Sequence, residues 1–212
     1  MIFLSFLYFF HDFLQLTSDF NDSIKSFNDE ILYFKLLILI MEFMDVLLKR
    51  RSTRKFNGEK VTREELDKIL QSGLLAPSSR NRKPINLMVV ERRQTLEELS
   101  KAKDHGAELL SGADKAIVVI ADTMISDTWC EDSSIVLTYL HLMAANLNLA
   151  SCWVQIHMRK KDDVYAEEVV RDILKIDEHY RIAGIMALGH SDDIPKPHTL
   201  DDIDKSKIHF LV

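Results

Sequence analysis

Residues Ala116-Ile-Val-Val-Ile-Ala121 are apolar without interruption and end at Asp122. A strand with one wet face alternates apolar and polar residues; a continuous run reads as a strand covered on both faces. Other elements must supply that cover, and the surrounding sequence offers helices. Thr62-Arg-Glu-Glu65 is a capping box, and Leu66, Ile69, Leu70 and Leu74 give its helix an apolar stripe. Thr95-Leu-Glu-Glu98 is a second capping box and predicts a helix to about Leu110. Asp132 to Leu149 is the longest helical pattern, with Val136, Tyr139, Leu140, Met143 and Leu147 on one side. Asp162 to Leu174 predicts a further amphipathic helix, and Ile85–Val90, Ser151–Ile156 and Ile182–Leu188 predict strands. Met44, Leu47, Leu48 and Arg51 follow helical spacing, so a short helix leads this series. The order is α-α-β-α-β-α-β-α-β-tail, a single α+β or α/β domain.

Composition excludes several function classes. With 47% hydrophobic and 28% charged residues, the chain has the make-up of a soluble protein with a core. A net charge of −6 argues against a nucleic-acid binder. Cys130 and Cys152, with no CxxC, form neither a disulfide framework nor a zinc site, and a reducing cytoplasm is the expected compartment. They read as small buried groups. The six glycines include no GxGxxG and no GxxxxGK[ST], so neither a Rossmann fingerprint nor a P-loop is present. No metal site is expected.

Residues 1–40 differ in composition from the rest. They hold Phe3, Phe6, Phe9, Phe10, Phe13, Phe20, Phe27 and Phe34, and no Ala, Val, Gly, Pro or Arg. No basic residue precedes the first apolar run and no small-residue cleavage site follows it, unlike a signal peptide. Ile31 to Leu48 is cut by Lys35, Glu42 and Asp45, unlike a membrane span. The favoured reading is a mis-called start or dispensable extension, with Met41 or Met44 as the start. A peripheral membrane or partner segment ranks second and a true span third.

Two polar stretches could carry chemistry. Arg50, Arg51, Ser52 and Arg54 place planar guanidinium forks and a hydroxyl within one helical turn, a donor set suited to phosphate oxygens. Spacing alone favours a solvated basic face. Ala76-Pro77-Ser78-Ser79-Arg80-Asn81-Arg82-Lys83-Pro84 could read a heterocycle through amide and hydroxyl groups, yet by itself it reads as a turn. His141, on the long helix, reads as a hydrogen-bonded core or interface residue.

Taken in order, these stretches resemble the nitroreductase family of FMN-dependent oxidoreductases, in its smaller branch. The matching pattern is R-R-S-x-R-x-F at Arg50–Phe56, then A-P-S-S-x-N-x-x-P at Ala76–Pro84. Leu147-Asn-Leu-Ala-Ser-Cys-Trp-Val-Gln155, Ala187-Leu-Gly-His190 and Pro195-Lys-Pro-His198 follow in the family's order. The likeness covers about Met44 to Val212 and none of residues 1–40. It implies an FMN-binding domain over 41–212, with a three-layer α/β sandwich: a mixed central sheet flanked by helices, in a dimer with exchanged terminal segments. It also implies roles residue by residue. Arg50, Ser52 and Arg54, with Arg51 adjacent, would bind the FMN phosphate, ribityl chain or pyrimidine edge. Pro77, Ser78 and Asn81 would pack on the flavin from the other subunit. Trp153, Val154 and Gln155 would present backbone groups, with an N–H near Gln155 facing flavin N5. Lys196 and His198 would form the closing basic pair.

The chain departs from the family at four points: His198 stands for Arg, Lys83 for Gln, Ile85 for Trp, and Leu149-Ala150 for Leu-Gly. The implied function is reduction of nitroaromatics, quinones or similar small acceptors by NAD(P)H, in a ping-pong scheme run by the flavin. No side chain of the protein need act as acid or base. The alternative is a non-catalytic flavin-binding, storage or sensing module.

Overall fold

The computed structural model describes residues 43–211; the expectations for residues 1–40 lie outside the described residues. Residues Val46–Val212 form one compact unit. Its elements are helix α1 (ending at residue 49), α2 (Arg63–Leu74), strand β1 (Ile85–Val90), α3 (Arg93–Leu99), β2 (Lys115–Asp122), α4 (Trp129–Asn146), β3 (Ala150–Gln155), the short strands β4 (Lys160–Lys161) and β5 (Val164–Tyr165), α5 (Ala166–Leu174) and β6 (Tyr180–Gly189).

The main sheet runs β1-β2-β6-β3, and every neighbouring pair is antiparallel. Its mixed character comes from one parallel bridge, Ser52 to Ser151, outside the named strands. The apolar run of β2 sits in the middle. Ala116, Val118 and Ile120 pack with Leu96, Leu99, Leu110 and Val170 on one face. Ile117 and Val119 pack with Leu66, Ile69, Leu137 and Leu140 on the other. Helices therefore cover both faces, and the three layers follow from that continuous run. Each fully buried Leu or Ile contributes about 1.5–3 kcal/mol.

A β-bulge adjusts the register within this core. Val119 pairs with Gly184, but Ile120 pairs with Ile182. Ala183 is the extra residue. Ile182 and Ile185, three apart, would face opposite sides of a regular strand; the bulge puts both in the same cluster.

The Thr62 capping box forms as predicted, with Thr62 Oγ1 accepting the Glu65 N–H at 3.2 Å and Glu65 Oε2 accepting the Thr62 N–H at 2.8 Å. The second box does not form. The helix begins at Arg93 with Arg92 as its cap, so Thr95 lies inside it, and it ends at Leu99 rather than near Leu110. Turns and a short 3-10 helix, Glu108–Ser111, replace the rest. The long helix begins at Trp129 and ends at Asn146, three residues earlier than predicted at each end. Residues 160–165 form the β4–β5 hairpin instead of the start of α5.

Candidate functional site

The basic segment lies along the outer edge of β3. Ser52 bridges Ser151, and Thr53 N–H donates to Ser151 O at 3.0 Å. Thr53 is buried, which fixes the middle of the segment. Its far end is held too. Phe56 packs against Gly189, where an added Cβ would meet the Phe56 ring at 2.8 Å, and Asn57 N–H donates to His190 O at 3.0 Å. The Phe of R-R-S-x-R-x-F and the Gly of Ala187-Leu-Gly-His190 are thus two halves of one contact.

The tail comes to the same segment. Arg51 Nη1 donates to Lys196 O, and His198 N–H donates to Leu48 O at 2.9 Å. Arg50, Arg51, Ser52, Arg54, Lys196 and His198 are therefore brought together within one chain. Arg50 and Arg51 are half-buried and Arg54 is exposed. Among the described residues, none of the three guanidiniums pairs with a carboxylate. Neighbouring cations without carboxylate partners are chemically suited to an anion, and guanidinium forks suit phosphate. His198 contributes mainly its backbone. Its ring turns to Asp202, with Nδ1 3.5 Å from the carboxylate.

Beneath the segment sits His141 of α4, buried, with Nδ1 2.9 Å from Ser151 Oγ. Burial, and then the positive charge of Arg50, hold its pKa down to about 4, so the ring is neutral near pH 7. It is the hydrogen-bonded core residue the sequence suggested.

Along β3, Val154 is fully buried in the core. Trp153 Nε1 donates to Gln155 Oε1 at 3.0 Å, and Gln155 Nε2 donates to His157 O at 3.0 Å. Both side chains are locked by protein partners. Gly184 lets the Trp153 ring approach: a Cβ there would meet Nε1 at 2.6 Å.

Pro77, Ser78 and Asn81 lie elsewhere. They precede β1, at the opposite sheet edge from β3. Crossing from β3 to β1 takes three strand spacings, about 14 Å. Ser151 pairs with Leu188 and Leu188 with Lys115, whereas Ile85 pairs with Ala121, so the two segments also differ by six residues along β2, about 20 Å. They occupy diagonal corners, and one chain does not bring them together.

The 77–83 loop is nonetheless built rigidly. Arg80, Asn81 and Lys83 have positive φ of 52°, 55° and 50°. Ser78 Oγ accepts the Lys83 N–H at 2.8 Å, and the Ser79 N–H donates to Asp132 Oδ1 at 2.9 Å. Left-handed backbone at non-glycine residues persists only when the surroundings enforce it.

Sequence reasoning missed a second charged cluster. Arg181 grips Glu167 with Nε and Nη2 at 2.7 and 2.9 Å, and the Ile182 N–H donates to Glu167 Oε1 at 2.8 Å. His157 Nδ1 lies 3.3 Å from the same carboxylate, and the Arg181 guanidinium lies 4.7 Å from the Trp129 ring centre. Glu167 and Arg181 sit 14 residues apart on different elements, so no local pattern joins them. Among the described residues, no helix is long and apolar enough to cross a membrane.

The model of the nitroreductase family matches residues 47–122 and 102–190. A protein of Archaeoglobus fulgidus named "Putative NADH dehydrogenase/NAD(P)H nitroreductase" is 30% identical over 173 residues, covering 79% of this chain and 97% of that protein. An FMN-dependent nitroreductase from Clostridium difficile R20291 is similar in structure, with TM-score 0.77 and 39% identity over 79% of this chain and 98% of that one. A Parabacteroides distasonis structure with the same name as the archaeal protein follows, with TM-score 0.73 and 27% identity over 79% of this chain and 96% of that one.

Proposed function

The chain belongs to the nitroreductase family, and on that premise we propose that it is an FMN-dependent oxidoreductase that uses NAD(P)H to reduce small acceptors such as nitroaromatics and quinones. The observation that carries the reading is the seating of Arg50–Arg54 between the β3 edge and the Lys196–His198 tail. That donor set fits a phosphate on chemical grounds, and the chain's similarity to an FMN-dependent enzyme at 39% identity supports FMN as the bearer.

When bound, FMN supplies the hydride chemistry, taking reducing equivalents from the nicotinamide and passing them to the acceptor. The chain's own residues bind and orient. Arg50, Ser52 and Arg54 hold the phosphate and ribityl chain. The backbone of β3 near Gln155 offers an N–H where negative charge builds on reduction. The locked Trp153 and Gln155 side chains keep that backbone from shifting. Nicotinamide and acceptor use the site in turn, which is ping-pong kinetics.

The site needs a second copy of the chain, because Pro77, Ser78 and Asn81 stand at the far corner of their own sheet. The tail supports the same reading. Residues 191–211 bury no side chain, and Ile194 and Phe210 are each 83% exposed. A polar arm that exposes scattered large apolar side chains and has no core of its own suits a partner surface.

The purified protein is expected to be yellow or to become so with FMN, and NADH or NADPH should bleach it anaerobically. Steady NAD(P)H oxidation with menadione should follow. A colourless protein that FMN cannot reconstitute overturns the proposal; bleaching without turnover identifies a flavin-binding module instead.

A further inference from the structure

The anion-binding segment has no strand of its own and meets β3 at Ser151 and Cys152. Ser151 supplies the backbone contacts, the bridge to Ser52 and the carbonyl that accepts the Thr53 N–H at 3.0 Å, and the Ser52 hydroxyl meets the Cys152 thiol. Ser151 is buried, and its hydroxyl meets one side chain, His141 Nδ1, at 2.9 Å. His141 in turn is fixed on α4, whose Val136, Leu137, Leu140 and Ala144 pack into the core. A continuous path of contact therefore runs from the helical layer through His141 and Ser151 to Ser52 and Thr53, between Arg50 and Arg54.

We propose that His141 is a positioning residue for cofactor binding: its bond to Ser151 sets the height at which the Ser52–Arg54 backbone sits on the β3 edge, and so where the guanidiniums converge. The role rests on the function proposed above. A neutral ring suits it. Protonated, His141 would add a buried positive charge beside Arg50 and raise the cost of holding the cluster. Neutral, it offers Nδ1 to the hydroxyl as acceptor, or as donor in the other tautomer, and either keeps Ser151 in place.

The test uses the full chain and four variants: His141→Leu, His141→Asn, Ser151→Ala, and His141→Leu with Ser151→Ala. Leu keeps bulk without the bond, whereas Asn places a polar atom near that of Nδ1. FMN affinity of the apoprotein is read by quenching of flavin fluorescence, and hydrogen exchange at the Thr53 amide is read without FMN. His141→Leu and Ser151→Ala should each weaken FMN about tenfold and speed Thr53 exchange. His141→Asn should stay within about threefold of the unmodified chain, and the double variant should be no worse than either single one. Protection of β2 amides should not change, which separates positioning from general loosening. If the unmodified chain does not take up FMN, the proposed function fails, and Thr53 exchange still judges His141. If FMN affinity and Thr53 exchange are both unchanged in His141→Leu, the positioning role is overturned. It is also overturned if His141→Asn is as impaired as His141→Leu.

Discussion

Glu167 shows how much a single side chain can hold. Burial alone would push its carboxyl up, but the paired Arg181, the Ile182 N–H and His157 outweigh that, so it titrates below the ordinary carboxylate range. The Ile182 N–H lies beside the β6 bulge, so the same carboxylate that neutralises Arg181 also fixes the strand's irregular register. Glu167 is buried, but the Arg181 side chain is 35% exposed, so water screens the charge left behind. Glu167→Gln should therefore lower unfolding free energy by about 1–3 kcal/mol at pH 7, measured by urea titration. The pH dependence has a definite sign. A depressed carboxylate adds stability that is full above its unfolded pKa of about 4.3, and this is lost as pH falls below it toward the folded value. The variant should accordingly lose less stability than the unmodified chain between pH 5 and 3. An equal loss in both would place the acid sensitivity on other groups, Asp114 foremost. Burial pushes Asp114 up, but Lys60, the Val61 N–H and Lys115 pull it further down.

Among the elements, α4 does more than cover the sheet. Its first turn carries Asp132, buried, which accepts the Ser79 N–H at 2.9 Å and lies 3.3 Å from both the Ser126 and Thr128 hydroxyls. The helix thereby anchors the left-handed 77–83 loop. Asp132→Ala strands the Ser79 N–H and leaves the Ser126 and Thr128 hydroxyls only each other, 3.0 Å apart; it should cost about 1–3 kcal/mol, with faster hydrogen exchange at Ser79 than elsewhere in the chain. Unchanged Ser79 exchange would mean that the loop holds its shape unaided. This anchor also explains where sequence patterns stopped being readable. Asp132 looked like the start of the helix, but its carboxylate is taken by a loop more than 50 residues earlier, and the helix begins at Trp129. Thr95-Leu-Glu-Glu98 has the residues of a capping box, yet the helix starts before it. A cap motif is local, and tertiary packing decides whether it is used. Thr62 is used, where Asp114 fixes the entry by accepting the Val61 N–H at 2.9 Å. The apolar run of β2, by contrast, could be read correctly because burial on both faces leaves its mark on every residue. At the candidate site, the residues are proposed from ordered motifs. Their grouping could not be read from those motifs, because Ser52–Ser151 and Arg51–Lys196 join positions about 100 and 145 residues apart.

At the scale of the whole molecule, the decisive fact is that the sheet separates Arg50–Arg54 from Pro77–Asn81 at diagonal corners. If both contact one flavin, they must come from different chains, which a mixing experiment can detect. Arg50→Ala removes a charged donor and should weaken FMN by about 10- to 100-fold. Asn81→Ala should lower occupancy through the covering loop. Each variant alone then has two damaged sites per dimer. In a random one-to-one co-assembly, about half of the dimers carry one chain of each kind. Within such a dimer, one site combines both substitutions and the other has neither. About a quarter of all sites should therefore regain full FMN affinity, read as bound flavin absorbance after gel filtration. A site built within a single chain gives no recovery at any mixing ratio. The yield therefore reports directly which chain supplies each corner, and it does so without assuming which acceptor the bound flavin reduces.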